Sequence, residues 1–152
     1  DKMQFIIYGS GGKVNVLKKE LLINNIKNVL IYKPIPREEL IKKYIDADIL
    51  FLHLDNKDAF KKVLPSKIFE YAAMGKPIIA GVDGYAKIFI ENEIENAHVF
   101  SPCDYHSAKR AFSMLHTKNT NRDEFINRYK RNLISEKMKL QVIEIYQNNH
   151  DF

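Results

Sequence analysis

Short continuous apolar runs recur along the chain, with helical apolar faces between them, and that alternation constrains the fold more than any other feature. The runs are Phe5-Ile6-Ile7-Tyr8, Val29-Leu30-Ile31-Tyr32, Ile49-Leu50-Phe51-Leu52, Pro77-Ile78-Ile79-Ala80 and Ala97-His98-Val99-Phe100. They are unbroken rather than alternating, which is the pattern of parallel strands buried on both faces. Between them, Val14, Leu17, Leu21 and Leu22 share a helix face, as do Leu40, Ile41, Tyr44 and Ile45 after the breaker Pro34-Ile35-Pro36. A third helix is predicted from about Ser66 to Met74, stopped by Gly75-Lys76-Pro77. A fourth begins near Gly84-Tyr85, and a fifth near Tyr105 carries Ala108, Ala111, Phe112 and Leu115. Such regularity predicts an α/β fold: an open parallel sheet with right-handed crossovers and helices on both faces.

Ligands on sheets of this kind bind beyond the carboxyl ends of the strands. The polar stretch Thr117–Arg122 is expected to separate this unit, residues 1–120, from a C-terminal helix and tail, residues 121–152. That helix is predicted as one continuous element from about Asp123 to Tyr146, with an apolar stripe of Phe125, Ile126, Tyr129, Leu133, Ile134, Met138, Val142 and Ile145. The stripe is expected either to pack on this domain's sheet or, in part, to meet another domain.

The 152 residues suit one domain with one core. No apolar run reaches the length of a membrane span. Cys103 is the single cysteine, so neither an intramolecular disulfide nor a cysteine metal cluster is possible, and a reducing cytoplasm fits. The net charge of +5 would suit nucleic acid or an anionic membrane surface. The lysines are spread along the chain, however, with no basic stripe interleaved with stacking aromatics. Nucleic acid is therefore set aside, leaving a lysine-rich surface or an attraction to anionic lipid or phosphate. His53, His98, His106, His116 and His150 lack ligand spacing, and Asp46, Asp48, Asp55 and Asp58 lack a calcium-loop pattern. Neither a metal nor a cofactor is expected.

Two motifs sit where phosphate chemistry would. Gly9-Ser10-Gly11-Gly12 lies between a strand and a helix, but a dinucleotide fingerprint needs glycine at Val14 and an acidic residue near Tyr32-Lys33. It is read as a tight turn able to touch a phosphate or sugar. The second motif is Leu64-Pro65-Ser66-Lys67-Ile68-Phe69-Glu70. Here Pro65 stops a loop, Ser66 is expected to cap the helix, free N–H groups favour an anion, and Lys67 adds a cation. Glu70 lies four positions after Ser66 on the same face, amid apolar neighbours, where a carboxylate needs partners. Spacing alone leaves two readings open: a nucleotide diphosphate site, or a cap with a Glu70–lysine salt bridge.

The longer string Phe60–Ala80, with its Leu64-Pro65-Ser66-Lys67-Ile68-Phe69-Glu70-Tyr71-Ala72-Ala73-Met74-Gly75-Lys76-Pro77 core, resembles the donor-site signature of family-4, GT-B glycosyltransferases. It is similar in particular to the bacterial branch that assembles O-antigen and capsular polysaccharides. Phe5–Gly11 resembles the family's strand and Gly-x-Gly turn, and Tyr44-Ile45-Asp46-Ala47-Asp48-Ile49 its helix-to-strand junction. The resemblance spans residues 4 to 115. It implies a Rossmann-like three-layer sandwich and retaining, metal-independent transfer from a nucleotide sugar, UDP-linked. It implies that Glu70 binds the ribose hydroxyls, that Ser66 and Lys67 meet the diphosphate with Leu64 and Pro65 also in the substrate site, that Tyr32 to Ile35 pass the nucleobase, and that Gly9 and Gly11 line the cleft.

One departure is Lys62, which stands where the family commonly has a glutamate reaching the donor sugar. The resemblance further implies a partner acceptor-binding domain at the N-terminal side and a first strand and helix carrying an Arg and a Lys, neither of which this chain contains. On that expectation the chain binds donor weakly and does not transfer sugar by itself, while the whole enzyme sits in the cytoplasm, peripheral at the inner face of the membrane. Two rival readings remain at this point: a non-catalytic αβ interaction or receiver-like domain, with Asp55 as its acceptor, and a dinucleotide-binding oxidoreductase domain.

Overall fold

The computed structural model describes residues 3–148; His150 and the end of the predicted tail lie outside the described residues. The element order is β1 (Phe5–Tyr8), α1 (Val14–Ile23), β2 (Val29–Tyr32), α2 (Arg37–Asp46), β3 (Leu50–His53), a 3-10 helix (Asp58–Lys62), α3 (Lys67–Ala73), β4 (Ile78–Gly81), α4 (Gly84–Glu93), β5 (Ala97–Phe100), α5 (Tyr105–Met114), α6 (Asp123–Tyr129) and α7 (Arg131–Asn148). All five expected strands form, and all pair in parallel. The fold is the Rossmann-like α/β arrangement that the strand–helix alternation predicts. Among the described residues no helix is long and apolar enough to cross a membrane.

The strands form two sheets, β1-β2 and β3-β4-β5, and the chain divides into two compact units, residues 1–43 and 44–152.

In the first unit, Phe5 through Tyr8 pair with Val29 through Tyr32. Helix α1 ends on Asn24, and Asn25 then takes a left-handed conformation (φ 51°). The expectation that Phe5–Tyr8 is buried is not met, since Phe5, Ile6 and Ile7 are 41%, 52% and 39% exposed. A two-stranded ribbon has too few neighbours to enclose its own side chains.

The second unit holds the core. Its central strand β4 is buried throughout, because it pairs on both edges and is covered on both faces. Ile79 and Phe100 pack with Ala111 of α5, and Ile49, Ala108 and Leu115 close that cluster. Alternation along the strands puts Leu50, Leu52, Ile78 and Ala80 on the opposite face, all buried. Ile68 and Ala72 of α3 and Ala86 and Ile90 of α4 are almost wholly enclosed. Strand β3 is covered only in part: Phe51 and His53 are exposed between buried Leu50 and Leu52.

Gly81 shows why a glycine ends β4. His53 and Phe100 flank it across the sheet, their rings stack 5.8 Å apart, and a Cβ would fall 2.3 Å from His53 and 2.5 Å from Phe100.

The C-terminal region departs from expectation twice. The predicted single helix is two, α6 and α7, broken at Lys130, whose backbone is extended (φ −63°, ψ 123°). Packing dictates the break: Phe125 and Tyr129 of α6 join Phe69 of α3 and Phe89 of α4 in a four-ring cluster, with centroids 4.7 to 6.3 Å apart. Helix α7 buries no residue, and Leu133, Ile134, Met138, Val142 and Ile145 are all exposed. The half of the stripe on α7 thus does not pack on the sheet.

The stretch Thr117–Arg122 is stitched to the second unit. Thr120 N donates to Gly75 O at 2.8 Å, and Asn96 Nδ2 donates to His116 O and Lys118 O. Arg122 is buried, and its guanidinium donates to Ala72 O (3.3 Å), Lys76 O (3.1 Å) and Glu95 O (2.5 Å).

Candidate functional site

The string Leu64–Glu70 leads into α3 and forms its first turn. Leu64 and Pro65 are half-buried, and Lys62 is exposed at the end of the preceding 3-10 helix. Its neighbour Lys61 pairs with Asp58 at 2.9 Å, with both side chains in water. The Lys61 ammonium pulls the Asp58 carboxyl below its usual range.

Ser66 does not act as the expected cap. Its backbone is already helical (φ −57°, ψ −26°), and its side chain makes no capping bond. A side-chain cap needs an extended backbone at that position. Instead Pro65 O accepts from Ile68 N at 3.0 Å and Ser66 O from Phe69 N at 3.1 Å, so the turn begins one residue early. Helix α3 is also short, seven residues, ending at Gly75 in the left-handed region (φ 68°) as Gly75-Lys76-Pro77 predicts. A helix of two turns carries a weak dipole, so less of any attraction for anions comes from the helix start than the spacing suggests.

The cation is more informative. Lys67 is half-buried, and its Nζ donates to Tyr44 Oη at 2.9 Å. The ammonium lies 5.5 Å from the Tyr44 ring centroid and 5.9 Å from that of Tyr71, within cation–π range of both. The two rings meet edge to face, 5.1 Å apart. The hydrogen bond that Lys67 makes thus goes to a phenol. Glu70 is half-buried on α3 between buried Ile68 and Tyr71. Burial first, then Tyr44 and Glu70, pushes the Tyr71 phenol up to about 12.

Spacing missed both tyrosines. Tyr44 reads as one more residue on an apolar helix face, and nothing local marks it as the partner of a lysine 23 residues on.

In the first unit Gly9 and Tyr32 come together, with Gly9 N donating to Tyr32 O at 3.1 Å, while the Tyr32 ring stacks on Tyr8 at 5.2 Å. Gly9, Gly11 and Gly12 have open space where a Cβ would stand, and none has a positive φ. The turn they form thus does not itself demand glycine, unlike Gly75, Gly81 and Gly84 in the second unit.

Beyond the carboxyl ends of β3, β4 and β5 lies a shallow recess lined by Leu54, Asp55, Phe60, Asp83 and Pro102. It excludes every residue from Lys62 to Glu70. Asp55 there pairs with Lys57 at 3.3 Å and accepts from Asn56 N. Cys103 N donates to His53 Nε2 at 3.1 Å. Among the described residues no group of three or more His, Cys, Asp or Glu side chains is placed to hold a metal ion.

Comparison with known proteins matches residues 1–132 to the family model described as glycosyl transferases group 1. No curated protein and no solved structure matches the chain. The matched segment contains both sheets, α3 and the Leu64–Ala80 string, and ends just after α7 begins. It covers most of the chain and leaves the receiver-like and oxidoreductase readings without support. The chain belongs to the group 1 glycosyl transferases.

Proposed function

We propose that this chain supplies the donor-binding domain of a glycosyltransferase and that Leu64–Glu70 is where the nucleotide sugar is held. Membership of the group 1 family carries glycosyl transfer from a nucleotide-sugar donor. The observation that carries the site is the presence of Lys67 and Glu70 on one short helix: a half-buried cation held by a phenol and two tyrosine rings, and a half-buried carboxylate one turn on.

In this reading the donor is UDP-linked. Glu70 accepts the ribose hydroxyls, and Lys67, with Ser66 and the backbone of Leu64 and Pro65, faces the diphosphate. Lys62 points to water. In the transfer, the bond between the sugar's anomeric carbon and the diphosphate oxygen breaks, and the diphosphate leaves with the electron pair. The acceptor's oxygen takes its place on the same face, and its proton passes to the departing diphosphate oxygen. Positive charge fixed near the leaving oxygens stabilises the negative charge that develops on them as the bond breaks. Gly9 and Gly11, whose own turn leaves room for a side chain, are backbone positions open to close approach by a ligand. The transfer serves cell-surface polysaccharide assembly, with the whole enzyme peripheral at the membrane's inner face.

The test is calorimetric titration of the chain with UDP. Glu70→Ala is expected to abolish binding while the cooperative unfolding transition and circular dichroism stay as in the parent. UDP affinity unchanged by Glu70→Ala refutes the assignment of Glu70.

A further inference from the structure

We propose that Tyr44 is a positioning residue, holding the Lys67 ammonium where it meets a ligand's phosphate groups. This rests on the donor-site reading and deepens it, because the seven-residue α3 supplies little dipole of its own.

Lysine carries four rotatable bonds, and fixing its ammonium costs rotamer entropy. In this protein the fixing is already done. The ammonium sits against two tyrosine rings and donates to Tyr44 Oη at 2.9 Å. Tyr44 is itself held, 7% exposed at the end of α2, with its ring edge-to-face on Tyr71. An ammonium has three donors, and the tyrosine hydroxyl uses one.

The neutralisation is incomplete, and that is the important point. Lys67 stands on the first residue of α3, where a positive charge is disfavoured by the helix. Its partners are a neutral hydroxyl and two π faces rather than a carboxylate. A half-buried cation held only by neutral groups keeps its charge available to an incoming anion. A lysine salt-bridged to Glu70 would have spent that charge within the protein. Tyr44 thus holds the ammonium ready for phosphate.

The experiment is titration calorimetry on four proteins, the parent, Tyr44→Phe, Lys67→Met and the double variant, with UDP, inorganic pyrophosphate and uridine as ligands. Tyr44→Phe keeps the ring and its burial, so the melting temperature is expected within about 2 °C of the parent. Its affinity for UDP and pyrophosphate is expected to fall about 5-fold, the size of one hydrogen bond's worth of positioning, with uridine unchanged. Lys67→Met is expected to lose more on the same two ligands. The double variant should be no worse than Lys67→Met alone, since Tyr44 acts only through Lys67.

Losses that add, or that extend to uridine, overturn the positioning role while leaving the donor site standing. A parent that binds pyrophosphate as tightly as UDP, with the coupling intact, overturns the nucleotide reading and keeps the role of Tyr44. A parent that binds neither overturns both.

Discussion

Replacing Arg122 with methionine removes a buried guanidinium while keeping most of the volume of its stem. In the native structure that group donates to Ala72 O at the end of α3, Lys76 O in the following loop and Glu95 O before β5. Hydrogen bonds to charged groups are worth about 1.5–3 kcal/mol each, so three of them amount to roughly 4–6 kcal/mol once imperfect geometry such as the 3.3 Å bond is allowed for. Against this stands the cost of enclosing the cation. Arg122 is 6% exposed, its Nε has no partner, and burial lowers its pKa against the opposing pull of Glu95. Relieving that desolvation returns about 1–3 kcal/mol. The balance is a loss of about 3 kcal/mol, which is a large share of a domain's total stability. With a urea dependence near 2 kcal/mol per molar, the unfolding midpoint of Arg122→Met should fall by about 1.5 M. An unchanged or raised midpoint would refute the reasoning, showing that the desolvation term outweighs the three bonds.

Gly81→Ala places a methyl group against the stacked rings of His53 and Phe100, 2.3 to 2.7 Å from their atoms, and is expected to cost about 1–3 kcal/mol in chemical denaturation. Tyr71 gives a pH signature. Its folded pKa lies above its unfolded value, so its contribution is complete below about pH 10 and is lost between roughly 10 and 12. Spectrophotometric titration at the phenolate band should show a late step near pH 12, and Tyr71→Phe should remove it.

The order and type of the strands are legible in the sequence because their cause is local. Pro77-Ile78-Ile79-Ala80 reads as a buried strand, and β4 is buried at every residue. The stop at Gly75 is equally local, a left-handed residue that favours glycine. What the sequence hides depends on distant neighbours. Nothing near Lys130 breaks a helix, neither proline nor glycine; the break follows from Phe125 and Tyr129 being drawn into rings on α3 and α4. Ser66 has the residue type of a cap, yet Pro65 starts the turn first. The candidate site divides in the same way. Glu70 and Lys67 are visible as a spacing, while the tyrosine seat of Lys67 depends on the end of α2 meeting α3.

Helix α3 is too short to be stable by itself, since isolated helices need about 12–15 residues even with favourable sequences. Its geometry must therefore be imposed from outside, and both of its ends are held by distant residues. At the start, Tyr44 grips Lys67. At the end, Thr120 N bonds Gly75 O, and Arg122 bonds Ala72 O and Lys76 O. Between those two grips Phe69 turns into the four-ring cluster with α4 and α6, while Glu70 follows it on the next position around the helix. The direction of Glu70 is thus set by residues 44 and 120–129 as much as by its own neighbours. A weakened Arg122 clamp should accordingly lower UDP affinity in titration calorimetry before it unfolds the domain.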